Sequence, residues 1–151
     1  MMKFKLPRRS LIALSLCASS MSLVWAQPDF AQQAAKEPGA RVTASGLVFK
    51  SLQDGQGASP VASDKVKVHY RGTLPDGKEF DSSFKRNQPI DFPLNAVIPC
   101  WTEGVQLMKV GSKAKLTCPP AIAYGSRGAG GVIPPNATLQ FEVELIAIAG
   151  K

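Results

Sequence analysis

The sequence predicts one α+β domain in which an antiparallel sheet packs against a single short helix. Two observations carry this prediction: three segments alternate apolar and polar residues, and one segment repeats apolar residues with helical spacing. With 151 residues, of which 44% are hydrophobic and 19% charged, the chain is long enough for one compact domain. The apolar faces of the sheet and the helix would form its core.

The three alternating segments lie at residues 65–71, 113–118 and 139–145, and each predicts a half-buried strand. Their inward faces would be apolar: Val66, Val68, Tyr70, Ala114, Leu116, Cys118, Leu139, Phe141, Val143 and Leu145. Their outward faces would be polar and solvated: Lys65, Lys67, His69, Arg71, Lys113, Lys115, Thr117, Gln140, Glu142 and Glu144. After the first strand, residues 74–77 (Leu-Pro-Asp-Gly) predict a hairpin turn, because Pro presets φ and Gly supplies positive φ.

The helical segment follows Pro99. Trp101, Val105 and Met108 recur at i, i+4 and i+7, and the pattern stops at Gly111. Such a helix can cover only one face of the sheet.

The N-terminal residues 1–26 predict a cleavable export signal. A basic stretch (Lys3, Lys5, Arg8 and Arg9) precedes an apolar run at 11–18 and a small-residue site at Ala26. The apolar run is too short to span a bilayer as a lasting helix. Arg8-Arg9 and Cys17 admit a twin-arginine or a lipoprotein signal, but Leu16 is not the small residue expected before a lipidated Cys. We therefore expect ordinary export to the periplasm, with no lasting membrane anchor.

Residues 27–41 are rich in Gln, Ala, Pro and Gly and predict a flexible leader, too short for a helical dimerisation domain. We accordingly expect a monomer. The formal charge of +7 overstates the basicity of the exported chain, since residues 1–26 hold four of the 18 basic residues and none of the 11 acidic ones. A nucleic-acid partner is not expected.

Six blocks, in order, resemble the FKBP family of prolyl isomerases. They are Val68–Gly72, Gly77–Ser83, Val97–Ile98, Trp101–Gly104, Ala123–Gly125 and Ile133–Leu139. The likeness extends from about Val42 to the end of the chain. It implies, for residues 42–151, an antiparallel half-barrel sheet wrapped around one short helix.

The resemblance also implies a pocket and its residues. Tyr124, Asp81 and the backbone N–H of Ile98 would be catalytic, Trp101 would form the floor, and Arg86 would pair with Asp81. The substrate-binding residues would be Tyr70, Phe80, Phe92, Val97, Trp101, Ile133 and Phe141.

The function implied is cis-trans isomerisation of Xaa-Pro bonds in unfolded or nascent exported proteins, with no cofactor and with macrolides as inhibitors. An alternative is a periplasmic chaperone or binding module that holds proline-containing segments in the same pocket. The sequence contains no Cys/His cluster, phosphate-binding glycine loop or nucleophile with a base, which argues against zinc proteins, kinases and hydrolases.

Cys100 and Cys118 remain in the exported chain, where the compartment permits disulfides. Cys118 faces inward on its strand and Cys100 begins the helix that should pack on it. We predict a Cys100–Cys118 bridge, and two free buried thiols are the alternative. His69 lies on a polar strand face, so we expect it to be solvated rather than catalytic.

Overall fold

The computed structural model describes residues 29–151, and none of its helices is long and apolar enough to span a membrane. Seven strands form one antiparallel sheet: β1 (Ala40–Val42), β2 (Val48–Gln53), β3 (Lys65–Thr73), β4 (Glu79–Ser82), β5 (Ile90–Pro93), β6 (Lys113–Cys118) and β7 (Leu139–Ile148). Two α-helices accompany them within this range: α1 (Phe30–Ala35) and α2 (Pro99–Gln106). Short 3₁₀ turns lie at Leu94–Ala96, Pro120–Ile122 and Gly125–Arg127.

The order of strands in the sheet is β1-β2-β6-β7-β3-β4, and β5 pairs with the first part of β3. Along one edge, β3 therefore pairs with β5 through residues 65–68 and with β4 through residues 71–73. All of these pairs are antiparallel. The predicted α+β class and the FKBP-like half-barrel are confirmed.

The core lies between the inner face of the sheet and α2. All ten residues predicted to face inward on β3, β6 and β7 are buried. Of the residues predicted to face outward, Thr117 is the exception, with only 1% of its surface exposed. The physical reason is that α1 packs against β2 and β6, and the segment after α1 lies over the outer face of β6.

The hairpin turn between β3 and β4 forms as predicted. Gly77 has φ of +85° and donates its N–H to the carbonyl of Leu74 at 2.8 Å. The Asp76 carboxylate accepts the N–H of Lys78 at 2.9 Å.

Helix α2 is confirmed but shorter than its apolar pattern. Pro99 is its first residue, a position where the missing N–H costs no hydrogen bond. The helix ends at Gln106, and Met108 packs into the core from the turn that follows. Gly104 lies close to β6: a Cβ there would stand 2.8 Å from Leu116 Cδ1.

The prediction of a flexible leader is wrong for residues 29–41. This segment contains α1 and the start of β1, and it buries Ala31 and Ala34. Glu37 holds it to the sheet through Lys50 at 2.9 Å and Lys115 at 2.5 Å. Two alanines give a weak apolar signal, and Lys115 was predicted to be solvated on the outward face of its strand. Residues 27–28 and the predicted export signal lie outside the described residues.

Candidate functional site

A pocket of about 540 Å³ opens on the inner side of the sheet, beside the start of α2. It is lined by Tyr70, Phe80, Asp81, Phe92, Ala96, Val97, Ile98, Trp101, Tyr124 and Phe141. Nine of the ten residues that the resemblance implied therefore meet in one cavity. Ala96, in the 3₁₀ turn before α2, is an addition that lies next to the predicted pair Val97 and Ile98.

Trp101 forms the floor of this pocket, with 4% of its surface exposed. Its ring contacts Tyr70, Phe92 and Phe141 edge-to-face, with centroids 5.2, 5.5 and 5.4 Å away. Such contacts fix the orientation of a ring in addition to burying it. The indole N–H is buried and has no hydrogen-bond partner within the described residues.

The walls of the pocket include side chains of strands β3, β4 and β7. Alternation on β3 and β7 turns Tyr70 and Phe141 inward, and Phe80 on β4 packs edge-to-face on Phe141 at 5.6 Å. Gly72 makes this packing possible, because a Cβ there would lie 2.4 Å from Phe80 Cζ. Sequence reasoning placed Gly72 in a family block without assigning it a role. Its signal is a glycine inside a strand, which indicates a close approach.

Asp81 forms the polar part of the wall. Arg86 Nη1 donates to Asp81 Oδ1 at 2.6 Å, as the resemblance implied, and the Tyr70 hydroxyl donates to Oδ2. Burial opposes ionisation of this carboxyl, but the hydrogen bonds from Arg86 and Tyr70 outweigh it, so the pKa of Asp81 lies below its ordinary value. Burial and the bond to Asp81 raise the pKa of the Tyr70 phenol. At neutral pH the site thus holds a carboxylate and a neutral phenol.

Two hydrogen-bond donors remain at the rim. Ile98 is the residue just before α2, so its N–H takes no part in the helical hydrogen bonds. Tyr124 is 40% exposed, and its hydroxyl has no hydrogen-bond partner in residues 29–151. An entering peptide carbonyl could accept from either group.

Ile133 is the one implied residue that does not line this pocket. Ile133 pairs with Ala129 in an isolated β-bridge, and its side chain is 7% exposed and belongs to the core. This bridge folds the loop after β6 back on itself, so Ile133 supports the loop that carries Tyr124.

His69 is also less solvated than expected. Its Nδ1 lies 2.9 Å from Ser83 Oγ, and its ring stacks on Phe84 with centroids 4.8 Å apart. It lies on the opposite face of β3 from Tyr70 and does not line the pocket. Within residues 29–151, no cluster of three or more His, Cys, Asp or Glu side chains could hold a metal ion.

Cys100 and Cys118 are joined in a disulfide with Cα atoms 5.8 Å apart, within the range that a bridge allows. Of the two possibilities compatible with the sequence, the structure contains the bridge. It links the second residue of α2 to the last residue of β6.

The sequence and the fold both match known proteins of one family. The model of the FKBP-type peptidyl-prolyl cis-trans isomerase family matches residues 56–146. The chain is 52% identical over 119 residues to the FKBP-type 22 kDa peptidyl-prolyl cis-trans isomerase of Escherichia coli K12, covering 79% of this chain and 58% of that protein. It is 59% identical over 114 residues to the isomerase FkpA of Aeromonas hydrophila, covering 76% and 42%.

Solved structures agree. The crystal structure of FkpA from Escherichia coli matches with a TM-score of 0.76 at 49% identity, covering 79% of this chain and 55% of that one. A peptidyl-prolyl cis-trans isomerase from Pseudomonas syringae matches with a TM-score of 0.74 at 43% identity, covering 79% and 87%. The chain spans about half the length of the curated relatives it matches. On the family match and these identities, the chain belongs to the family of FKBP-type peptidyl-prolyl cis-trans isomerases.

Proposed function

We propose that this protein catalyses cis-trans isomerisation of Xaa-Pro bonds in exported polypeptides and so assists their folding. One observation carries the proposal: an aromatic cavity, closed below by Trp101, leaves two donors at its rim without a partner among residues 29–151, the Ile98 N–H and the Tyr124 hydroxyl. Family membership supports it. The relatives are named for the same activity, and transfer of that activity to this shorter chain is part of the proposal.

The physical basis is the resonance of the amide bond. Rotation about a peptide bond has a barrier of about 18–20 kcal/mol because the planar amide has partial double-bond character. The twisted transition state loses this character and its charge separation. An apolar cavity that excludes water therefore disfavours the planar ground state more than the twisted state, which lowers the barrier without breaking a bond.

Each implied residue then has a distinct task. The proline ring would pack on Trp101, between walls formed by Tyr70, Phe80, Phe92, Val97 and Phe141. The Ile98 N–H would bind a substrate carbonyl, and the Tyr124 hydroxyl would donate a second hydrogen bond. Asp81 has both oxygens engaged by protein donors, so it would shape the wall and hold Arg86 rather than transfer a proton.

We further propose that the protein acts in the periplasm, as a monomer, after cleavage behind Ala26. The support is the basic, apolar and small-residue pattern of residues 1–26. Domain boundaries at 26 and 41 remain part of this proposal, although residues 29–41 pack on the isomerase domain. N-terminal sequencing of exported protein should begin at Gln27, and a retained Met1 or an acylated Cys17 would contradict it.

The deciding experiment is a peptide assay in which a cis-Xaa-Pro bond limits the rate. We expect acceleration by the full chain, inhibition by macrolides that fill FKBP pockets, and loss of both catalysis and macrolide binding in Phe80→Ala. Phe84→Ala is the matched control, because Phe84 is an exposed aromatic that does not line the pocket.

The same assay distinguishes an isomerase from the alternative, a chaperone or binding module. A chaperone that only holds proline-containing segments would suppress aggregation of an unfolded protein while leaving the peptide rate unchanged. Folded protein without isomerase activity, or with full activity in saturating macrolide, would contradict the proposal.

A further inference from the structure

The Cys100–Cys118 disulfide joins two segments of the chain that each lead to residues of the pocket lining. Both cysteines have no exposed surface. Cys100 stands between Ile98 and Trp101 in the sequence, and both of these residues line the pocket. Cys118 ends β6, six positions before Tyr124, which also lines the pocket.

The chain between Cys118 and Tyr124 is short and locally folded. Pro119 and Pro120 restrict the backbone, and the Ile122 and Ala123 N–H groups donate to their carbonyls at 3.1 Å each. A displacement of Cys118 would therefore reach Tyr124 through a stiff connection instead of being absorbed by a flexible one.

The loop continues beyond Tyr124 until β7 begins. It contains Gly125, Gly128, Gly130 and Gly131, all with positive φ, and its internal backbone bonds include the Ala129 and Ile133 pair and the Asn136 N–H to Gly125. Glycines give this part of the loop little intrinsic rigidity. The segment between Cys118 and Tyr124, by contrast, contains two prolines and no glycine.

At the floor of the pocket, no polar contact orients the ring of Trp101. The Trp101 indole N–H has no partner among residues 29–151, so edge-to-face packing and the position of α2 set the ring. Helix α2 is anchored one turn later, where Gly104 contacts Leu116 of β6. The disulfide adds a covalent link between the same helix and strand, directly beside Trp101.

We propose that the Cys100–Cys118 disulfide is a positioning device that fixes Ile98 and Trp101 relative to Tyr124. This inference rests on the proposed function, and it makes the two cysteines positioning residues that touch no substrate. Removing the bond should lower activity in protein that is still fully folded, because displacements of about 1 Å can cost large factors in rate.

The test compares the full chain with a variant that carries both Cys100→Ala and Cys118→Ala, which we call the cysteine pair. Both proteins also carry Trp25→Phe, so that Trp101 is the single tryptophan. Leu145→Ala is the matched control, because it removes a fully buried side chain of β7 that does not line the pocket. All measurements are made where circular dichroism shows each protein to be fully folded.

We expect kcat/KM of the cysteine pair to fall by about three- to tenfold, with macrolide affinity falling in parallel and Trp101 emission altered. The Leu145→Ala control should keep its kcat/KM and emission despite lower stability. Refolding the unsubstituted chain with dithiothreitol should reproduce the loss; the reagent supplies two electrons and two protons, yields two thiols and becomes a disulfide itself. Reoxidation should restore activity, and dithiothreitol should not change the cysteine pair.

Equal kcat/KM and unchanged Trp101 emission in the folded cysteine pair would overturn the inference, as would an equal loss in Leu145→Ala. Absence of isomerase activity in the oxidised, folded, unsubstituted chain would instead contradict the proposed function. The two failures are therefore distinguishable.

Discussion

The inner and outer faces of the sheet are built from the same strands but are stabilised by different forces. On the inner face, apolar side chains of β3, β6 and β7 pack on α2, and the aromatic rings form the pocket. On the outer face, charged side chains form ion pairs, and α1 with Glu37 covers part of β2 and β6. Burial of apolar area contributes much more per residue than a partly exposed ion pair.

This difference indicates how the molecule divides its tasks. The inner face supplies most of the stability, and its pocket-lining residues also form the proposed active site, so a change at a lining residue affects both. The outer face supplies small increments of stability far from the pocket. A change on the outer face should therefore affect stability slightly and activity not at all.

The sharpest contrast is between Trp101 and Arg71. Trp101→Ala should lower the free energy of unfolding by about 3–5 kcal/mol, because a large buried ring leaves a cavity. Arg71→Ala, which removes an outward side chain paired with Glu79, should cost less than about 1 kcal/mol. Urea unfolding measures both.

If Trp101→Ala does not fold, Trp101→Leu retains more volume and allows macrolide binding to be measured in folded protein. We expect weaker binding for Trp101→Leu and unchanged binding for Arg71→Ala. Comparable losses from Trp101 and Arg71 would contradict the division between the faces.

Removal of the disulfide should have the next largest effect on stability. The bridge joins residues 18 apart, and the chain-entropy estimate for a loop of this length is about 3 kcal/mol. Thermal unfolding of oxidised and reduced protein tests this value. A midpoint that is independent of the redox state would show that the bridge does not constrain the unfolded chain.

Tyr124→Phe removes one hydroxyl at the pocket rim and leaves the ring. Because one hydrogen bond contributes about 1 kcal/mol, the isomerisation rate should fall by less than tenfold. Tyr124→Ala should cost more, since the ring is also lost. Complete loss of activity in folded Tyr124→Phe would mean that the hydroxyl is an obligatory donor.

Glu37→Gln tests the outer face with nearly constant shape. Hydrogen bonds from Lys115 and then Lys50 hold the pKa of Glu37 below its ordinary value, so the ionised carboxylate stabilises the folded state. This contribution is fully present above the unfolded-state pKa, about 4.3, and is lost as the pH falls through the lower folded-state pKa.

We expect Glu37→Gln to lower the free energy of unfolding by about 0.5–1 kcal/mol at pH 7. The difference from the unsubstituted chain should shrink in acid, and kcat/KM should stay the same. A change in activity would show that the outer segment communicates with the pocket.

The two faces also differ in how much of them the sequence could predict. Alternation identified Val66, Tyr70, Phe141 and their neighbours as buried because strand geometry alone sends them inward. The resemblance implied nine of the ten lining residues; it did not include Ala96, and it included Ile133, whose place depends on how a glycine-rich loop folds back on Ala129.

Alternation could not reveal the cover on the outer face. Lysines such as Lys50 and Lys115 are usually solvated. Only the tertiary position of Glu37 lets them form hydrogen bonds with its carboxylate. Likewise, two alanines in α1 give little helical periodicity, yet both are buried when α1 packs on the sheet.

The pH dependence of isomerisation tests most directly whether an apolar pocket catalyses rotation without proton transfer. Asp81 is a carboxylate with a lowered pKa, the pKa of Tyr70 is raised, and His69 lies off the pocket. We expect a nearly constant kcat/KM between about pH 6 and 8. A bell-shaped profile with steep limbs in that range would show that a titrating group carries the reaction, and it would contradict catalysis without proton transfer.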